Sequence, residues 1–477
     1  MKIRSLAAVP VLVLGLSACA LEPEQLGGIR QDLQRHAEAL PQNVLNRPLN
    51  VDDAIALAVA HNLDSRVKLL EEVLAQGKAD LSIFALLPQM AAKGGVAHRG
   101  PEKATRSRDL TTGSTGNYST SDSQTTRTYD LTATWNLVDF GIAMLRADQE
   151  EDRVALAVEK RRRALHLLVQ DVQAAYWKAV VNEYAEKKYN ALELKLMRSV
   201  ADAENAERSR VGDPMQMLAH QRAIVDTMRQ IAEMQRQTAT ARADLAGLMG
   251  VESVASFQLA ELEDGAELKV DAATDDVESL QQVALDNRPE LRGEEAQFRI
   301  DVQDIYTELL KTLPGIGPFI GRHYDSNAYL KNNAWADAGV QVAWNLVDVL
   351  SAPKRIEQAK NVAEITRARR LALGMAVVTQ VRVADIQYHQ ALKEYRLTEQ
   401  MAAIDRRITS LAQKSRNAGS GSAMEEMKAE ASAMLSTLRR FILYSDVQAA
   451  RARLNAAMGV EPHRPAEVAN DVAQAPG

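Results

Sequence analysis

The chain holds a single cysteine, so no disulfide can form within it. Aromatic residues make up only 4 % of its 477 residues. The rest is rich in Ala, Leu, Val, Gln, Glu and Arg, a mixture that suits long helices better than compact mixed cores. Between Ile142 and Val211 there is neither Pro nor Gly. Beyond the N-terminus no run of about 18 apolar residues occurs, which excludes a transmembrane helix and leaves only strands to cross a membrane. A net charge of −6 argues against bulk attraction to nucleic acid. Catalytic patterns are missing too: no HExxH, no Cys/His metal spacing and no Gly-rich phosphate loop opening a helix. The stretch GIGPFIG (Gly315–Gly321) has the glycines of such a loop, but Pro318 and the lack of a following helix make it a glycine-rich strand. We therefore assign no catalytic residue, no metal and no cofactor other than a covalent lipid.

That lipid is read from the first residues, MKIRSLAAVPVLVLGLSAC. Lys2 and Arg4 make a positive start, Leu6 to Leu16 an apolar stretch, and small residues precede Cys19. Leu16-Ser17-Ala18-Cys19 matches the bacterial lipoprotein signal, and the only cysteine sits where acylation requires it. Residues 1–18 are then a signal peptide and Cys19 the lipidation site. Ala20 follows, not the Asp that retains lipoproteins in the inner membrane, so the outer membrane is favoured.

What is present twice is more telling. WNLVD occurs at Trp135–Asp139 and again at Trp344–Asp348, and the same 209-residue offset carries RADLAGLMGV (Arg242–Val251) onto RARLNAAMGV (Arg451–Val460). Upstream, Leu87-Pro88 recurs as Leu313-Pro314, and AHNLDSR (Ala60–Arg66) resembles LDNRPEL (Leu285–Leu291). The chain is an internal two-fold repeat, 51–251 and 279–460, with a longer insertion in the first copy. An irregular polar lead-in covers 19–50, an acidic linker 252–278, and a tail 461–477.

Within each copy the order is the same. Asp52 or Asp53 can cap a helix that runs to Leu87, where Pro88 ends it. A long helix follows from Ile142, broken by GDP at Gly212–Pro214, with a return helix from Met215 to Leu248. The second copy has a long helix from Pro353, read as a first-turn proline, to Asn417; AGSGS breaks it, and a return helix reaches Met458. Seventy helical residues extend about 105 Å, so these helices must pack as coiled coils, against each other or against other subunits. Charged runs such as EKRRR (Glu159–Arg163) read as solvated faces.

Between helices lie the alternating segments. In YDLTATWNL, Tyr129, Leu131, Ala133, Trp135 and Leu137 face one way and Asp130, Thr132, Thr134 and Asn136 the other. In DAGVQVAWNL, Ala338, Val340, Val342, Trp344 and Leu346 oppose Asp337, Gly339, Gln341, Ala343 and Asn345. Such segments, ending in an aromatic, mark transmembrane strands, with Trp135 and Trp344 as interface anchors. Partner strands at Gln89–Arg99 and Gly315–Tyr324 give one hairpin per copy (89–137 and 315–346), with a polar loop at Pro101–Gln124. Four strands cannot close a barrel, so several chains must share one.

The order helix, Pro, hairpin, W-N-L-V-D, long helix, Gly turn, helix, L-M-G-V or its like, made twice over Val51–Val460, resembles the TolC family of outer-membrane efflux proteins, in its lipoprotein branch. The resemblance implies a mainly α fold with a small β portion: long antiparallel coiled-coil helices forming an α-barrel, and four transmembrane strands per chain completing a 12-stranded barrel in a homotrimer. It implies a passive exit duct in the outer membrane of a Gram-negative bacterium, extending into the periplasm, with a periplasmic adaptor protein and an inner-membrane transporter as partners. It places adaptor docking at the turns, here Arg208, Arg210, Val211 and Gly212, and Ser415, Arg416, Asn417 and Gly419. It places an acidic entrance gate six and nine positions after the second turn glycine; these are Glu425, with Glu426 adjoining, and Lys428, where the charge is reversed. As first-turn residues the glutamates equally suit offsetting a helix dipole. Met215, Met217, Met424 and Met427 near the turns suit helix packing better than Cu(I). The rival architecture is a periplasmic adaptor or coiled-coil scaffold lipoprotein without a pore, in which the amphipathic hairpins would have no job.

Overall fold

The computed structural model describes residues 28–38, 40–208, 213–251, 257–262, 268, 270 and 276–460. Cys19, the signal segment, Arg210, Val211, Gly212, most of the acidic linker and the tail after Val460 lie outside the described residues. Among the described residues two compact units emerge: those within 28–62 and 175–262 form one, and those within 63–174 and 268–460 the other.

The described part of the run without Pro or Gly lies within a single helix, α5 (Leu137–Arg208, 72 residues), in the numbering that follows. Its counterpart in the second copy, α10 (Leu346–Asn417), also has 72 residues, or about 108 Å at 1.5 Å per residue. The remaining elements are α1 (Ile29–Glu38), α2 (Gln42–Leu45), β1 (Pro48–Leu49), α3 (Val51–His61), α4 (Leu63–Ser82), β2 (Gln89–His98), β3 (Thr125–Thr134), α6 (Pro214–Thr238), α7 (Ala241–Leu248), β4 (Gln258–Leu259), α8 (Val277–Asn287), α9 (Pro289–Leu310), β5 (Gly315–Asp325), β6 (Ala334–Ala343) and α11 (Ala423–Met458).

In the larger unit α10 and α11 pack as an antiparallel hairpin. Val377, Val381, Ala384, Tyr388, Leu392 and Tyr395 recur at three and four and are buried, as are Leu438, Phe441, Tyr444 and Val447 of α11, and Tyr395 meets Tyr444 with ring centroids 5.9 Å apart. Burial, then the adjoining Glu399, pushes the Tyr395 phenol well above its ordinary pKa, so the hydroxyl keeps its proton and donates to Glu399 at 2.9 Å. A second α10 stripe, Leu397, Met401, Ile404, Ile408 and Leu411, has the same spacing but is exposed along its whole length.

The charged run on α5 departs from its reading as a solvated face. Arg161 reaches Glu72 of α4 at 3.0 Å, Arg163 reaches Glu290 of α9 at 3.1 Å, and Glu159 lies 3.9 Å from Arg292. These pairs tie α5 to two neighbouring helices, and their carboxylates are largely shielded from solvent. A one-dimensional charge run could not show that the same helix face has a helix on either side.

Helix starts also differ in detail. The cap of α3 is Asn50, in a capping box with Asp53: Asn50 Oδ1 accepts from Asp53 N at 2.7 Å, and Asp53 Oδ2 accepts from Asn50 N at 3.2 Å. The single helix expected from there to Leu87 is broken at Asn62, which is extended, and ends in a 3-10 turn (Ile83–Leu86). Pro353 is not in a first turn. The stronger cap, Asn345, starts α10 at Leu346, leaving the proline inside the helix. Ser351 Oγ donates to Val347 O at 2.8 Å and Arg355 donates to Asp348 O at 3.1 Å, so nearby carbonyls are served by side chains.

The smaller unit contains structure where an irregular lead-in is expected: α1, α2 and β1, the last paired in parallel with β4 (Pro48 with Gln258, Leu49 with Leu259). Leu49 is fully buried, and its carbonyl accepts from the Tyr176 hydroxyl of α5 at 2.9 Å. Pro41 and Pro48 lie in this stretch, but the buried Leu40, Val44, Leu45 and Leu49 supply the apolar anchor.

The second repeated motif marks return-helix ends. Gly250 and Gly459, 209 apart, both adopt left-handed backbone, with φ of 71° and 68°. Each return helix is also closed by a side chain from the matching upstream break: Asn62 Nδ2 donates to Leu248 O at 3.1 Å, and Arg288 donates to Ala456 O at 3.0 Å. A Cβ on Gly250 would sit 2.6 Å from the His61 carbonyl oxygen, whereas Gly247 has open space around it. Gly250→Ala should therefore cost about 2 kcal/mol or more, from left-handed strain plus the collision. Gly247→Ala, in a helix, should be neutral or gain up to about 1 kcal/mol. Equal melting temperatures for the two variants in detergent would refute this account.

Candidate functional site

The four long strands form one sheet in the order β2-β3-β5-β6, antiparallel throughout, with β2 and β6 at unpaired edges. Register fixes the faces. Leu131 lies opposite Ala92 and Arg322, Ala133 opposite Ile320, and Val340 opposite Pro318. This face carries Leu131, Ile320, Val340 and Val342, which are 52 %, 61 %, 66 % and 65 % exposed. The opposite face carries Thr126, Thr128, Asp130 and Thr132, then Gly317, Phe319, Gly321 and His323, with Trp335, Asp337, Gly339 and Gln341 on β6. A sheet in water hides its apolar face; here the apolar face is the one left open, and the polar face is partly sheltered on β3 and β5.

On that polar face His323 joins three strands. Its Nδ1 lies 2.7 Å from Asp130 of β3, its Nε2 3.1 Å from Asp337 of β6, and its ring stacks on Trp335 at 5.4 Å. Gly321 makes room, because a Cβ there would collide with the Asp337 carboxylate and the His323 ring. No sequence motif marks this cluster of His323, Asp130, Asp337 and Trp335. Their parity could have revealed it, since all four residues fall on inward positions of their strands.

The strands end at Thr134 and Ala343, one residue before each tryptophan of WNLVD. The pentapeptide is therefore the joint itself. Asn136 Oδ1 accepts from Val138 N at 3.0 Å and Asp139 N at 3.4 Å; Asn345 Oδ1 accepts from Val347 N at 3.1 Å and Asp348 N at 3.4 Å. Each asparagine caps a 72-residue helix, and each aspartate places a negative charge in its first turn. Trp135 packs edge-on against Phe140 at 5.5 Å, and Trp344 Nε1 donates to Thr312 O at 3.1 Å. Both indoles remain partly exposed on the apolar side.

At the far end of α10 the second turn is closed on itself. Gly419 has φ of 77°, and Ser415 O accepts from Ser420 N at 3.0 Å and Gly421 N at 3.1 Å. Ser422 and Glu425 form a capping box: Ser422 Oγ accepts from Glu425 N at 3.1 Å, and Glu425 accepts from Ser422 N at 3.2 Å. Arg416 pairs with Glu426 across the turn. The structure thus joins a residue expected to dock a partner with one expected to line a gate. Lys428 is exposed and makes no ion pair among the described residues. In the first turn Arg208 pairs with Glu204 of its own helix at 3.5 Å, and Asp213 caps α6 by accepting from Met215 N at 3.0 Å.

Among the described residues no group of three or more His, Cys, Asp or Glu is placed to hold a metal ion, and no helix is long and apolar enough to cross a membrane. No protein-family model and no curated protein matches the sequence. Solved structures do match. The outer-membrane channel OprN aligns at TM-score 0.66 with 14 % identity over 88 % of this chain and 92 % of its own. CusC, described as forming a transmembrane channel, aligns at 0.66 with 17 % identity over 88 % and 97 %. The Neisseria gonorrhoeae MtrE outer-membrane channel, in its open state, aligns at 0.65 with 16 % identity over 86 % and 88 %. The chain has the fold of the TolC-like outer-membrane channels.

Proposed function

We propose that the chain is the exit duct of a tripartite efflux or secretion system, passively conducting substrate from an inner-membrane transporter through the outer membrane. The observation that carries this reading is the inverted sheet with two open edges. An exposed apolar face needs lipid, and unpaired strand edges are not tolerated there, so the edges must pair with other copies. Three copies, as the family resemblance implies, give a closed barrel of twelve strands around the polar face. The exposed stripe Leu397 to Leu411 on α10 supports the same assembly, since a second coiled-coil seam has its use against another helix. A scaffold lipoprotein would have no use for the inverted sheet.

Val340 is on the apolar face and Gln341 on the polar one. Val340→Asp should cost about 2 kcal/mol or somewhat less per copy at membrane depth. It should abolish heat-modifiable oligomers in outer-membrane fractions, whereas Gln341→Asp should assemble and conduct. Identical behaviour of the two variants would exclude a membrane-crossing strand.

We place adaptor docking at the two helix turns and the entrance gate beside the second, as the family resemblance suggests. Around a threefold axis Glu425 and Glu426 would form rings of negative charge that hold cations where water screens poorly. Glutamine at 425 keeps the capping box, so Glu425→Gln/Glu426→Gln should assemble normally but lose cation selectivity and block by trivalent cations in planar bilayers. A cysteine at Asn417 should cross-link to the periplasmic adaptor. Unchanged block in the double variant moves the gate elsewhere, and cross-links confined to other surfaces do the same for docking.

The lipid anchor at Cys19 and the outer-membrane address belong to the same proposal, supported by the four-residue signal. Cys19→Ser should remove all labelling by a fatty-acid analogue and leave the signal uncleaved. Persistent labelling would put the lipid on another residue.

A further inference from the structure

The apolar face of the sheet is not uniformly apolar. Of the outward residues on β2, β3, β5 and β6, two are charged, Arg127 and Arg322, and no carboxylate shares that face. Both arginines are exposed and neither makes an ion pair among the described residues. Asp130, Asp325 and Asp337, the carboxylates of these strands, all have inward parity.

Their position along the strands is specific. Tyr129 and Tyr324 are cross-strand partners, with ring centroids 5.9 Å apart. Arg127 lies two residues beyond Tyr129 toward the loops. Arg322 lies two residues inside Tyr324, level with Leu131. A tyrosine pair on the open face at the loop end marks one interface level, as Trp135 and Trp344 mark the other at the helix end. Arg322 is then set about 7 Å along the strand below the aromatic level. A long side chain there directs its head toward the interface and lays its stem along apolar surface. Arg127 approaches the same level from above.

The surroundings are also basic. Residues 98–127 and 322–333, which make up this end of the sheet and its two loops, hold seven Arg and Lys against four Asp and Glu, in a chain whose net charge is −6. Lys103 is neutralised by Asp122, and Arg106 lies over the Tyr118 ring at 5.2 Å. Arg127 and Arg322 are the pair left facing lipid without a counter-charge. A guanidinium fork matches a phosphate in a bidentate way that a neutral headgroup cannot offer.

We infer that Arg127 and Arg322, bracketing the Tyr129–Tyr324 pair, form a binding site for the phosphate of an anionic lipid in the membrane leaflet at the loop end of the barrel. The inference rests on the proposed reading of this sheet as a membrane wall. The lipid phosphates would complete the charge balance of the wall and set its depth.

The test uses the full chain, purified as its oligomer in neutral detergent. Native mass spectrometry would follow retention of bisphosphorylated lipid A, the same glycolipid stripped of phosphate, and phosphatidylcholine. The phosphorylated lipid should be retained by the wild type about tenfold better than the dephosphorylated one, the loss expected for a charged hydrogen bond. Arg127→Gln/Arg322→Gln should bring the two to equality, and Arg127→Lys/Arg322→Lys should fall between. Inorganic phosphate at millimolar concentration should not displace the lipid; displacement would mean a free-anion site and overturn the assignment to lipid. Equal retention of both glycolipids by the wild type, or unchanged preference in the glutamine variant, would also overturn it. Should the glutamine variant fail to assemble, the lysine variant and the dephosphorylated lipid decide alone. Loss of the proposed channel reading would appear differently, as a wild type that forms no heat-modifiable oligomer and no pore.

Discussion

Backbone amides and carbonyls cannot be left unpaired in hydrocarbon, and in the proposed membrane setting the rest of this structure depends on that constraint. A four-stranded sheet with its apolar face outward satisfies it everywhere except at β2 and β6. Ten-residue strands rise about 34 Å and, tilted near 40°, cover about 26 Å, close to the apolar band of an outer-membrane barrel. The sheet is therefore long enough to cross the membrane but too narrow to exist there alone. The long helices obey a related rule. With few aromatics to fill a thick core, they bury a narrow seam of Val, Ala, Leu and Tyr, and α10 leaves a second seam open.

Polar side chains do local work at each change of structure. Asn136 and Asn345 turn strand into helix, Ser422 and Glu425 start the return helix, and Asn62 and Arg288 close the return helices. Each supplies a partner for helix-end groups that would otherwise need water. The repeated motifs of the chain are these joints, which explains why similarity between the copies is concentrated in a few short words and absent from the helices between them. A helix interior accepts many sequences, whereas a cap or a left-handed glycine accepts few.

Strands and long helices were legible in the sequence because each rests on periodicity or on punctuation. Alternation found β3 and β6 within a few residues of their ends, and the absence of Pro and Gly found α5. What was not legible depends on neighbours distant in the chain. Glu159, Arg161 and Arg163 reach other helices although Lys160 and Arg163 stay exposed, Asn50 outcompetes Asp52 and Asp53 as a cap, and β1 exists because β4 is there to pair with it. At the second turn the pairing of Arg416 with Glu426 could not be read from the sequence. The His323 cluster was hidden because its members lie on three strands, and nothing links Asp130 to Asp337 until the register is known.

Pro353 separates the two copies mechanically. The residue 209 positions earlier is Met144, which keeps its amide, so α5 has a complete ladder at the place where α10 lacks a rung. Both helices are joined to their strands by a single capped dipeptide, with no slack to absorb a change of angle. Bending just beyond the sheet is therefore softer in α10 than in α5. Under torsion α10 would yield near Pro353 before α5 yields near Met144.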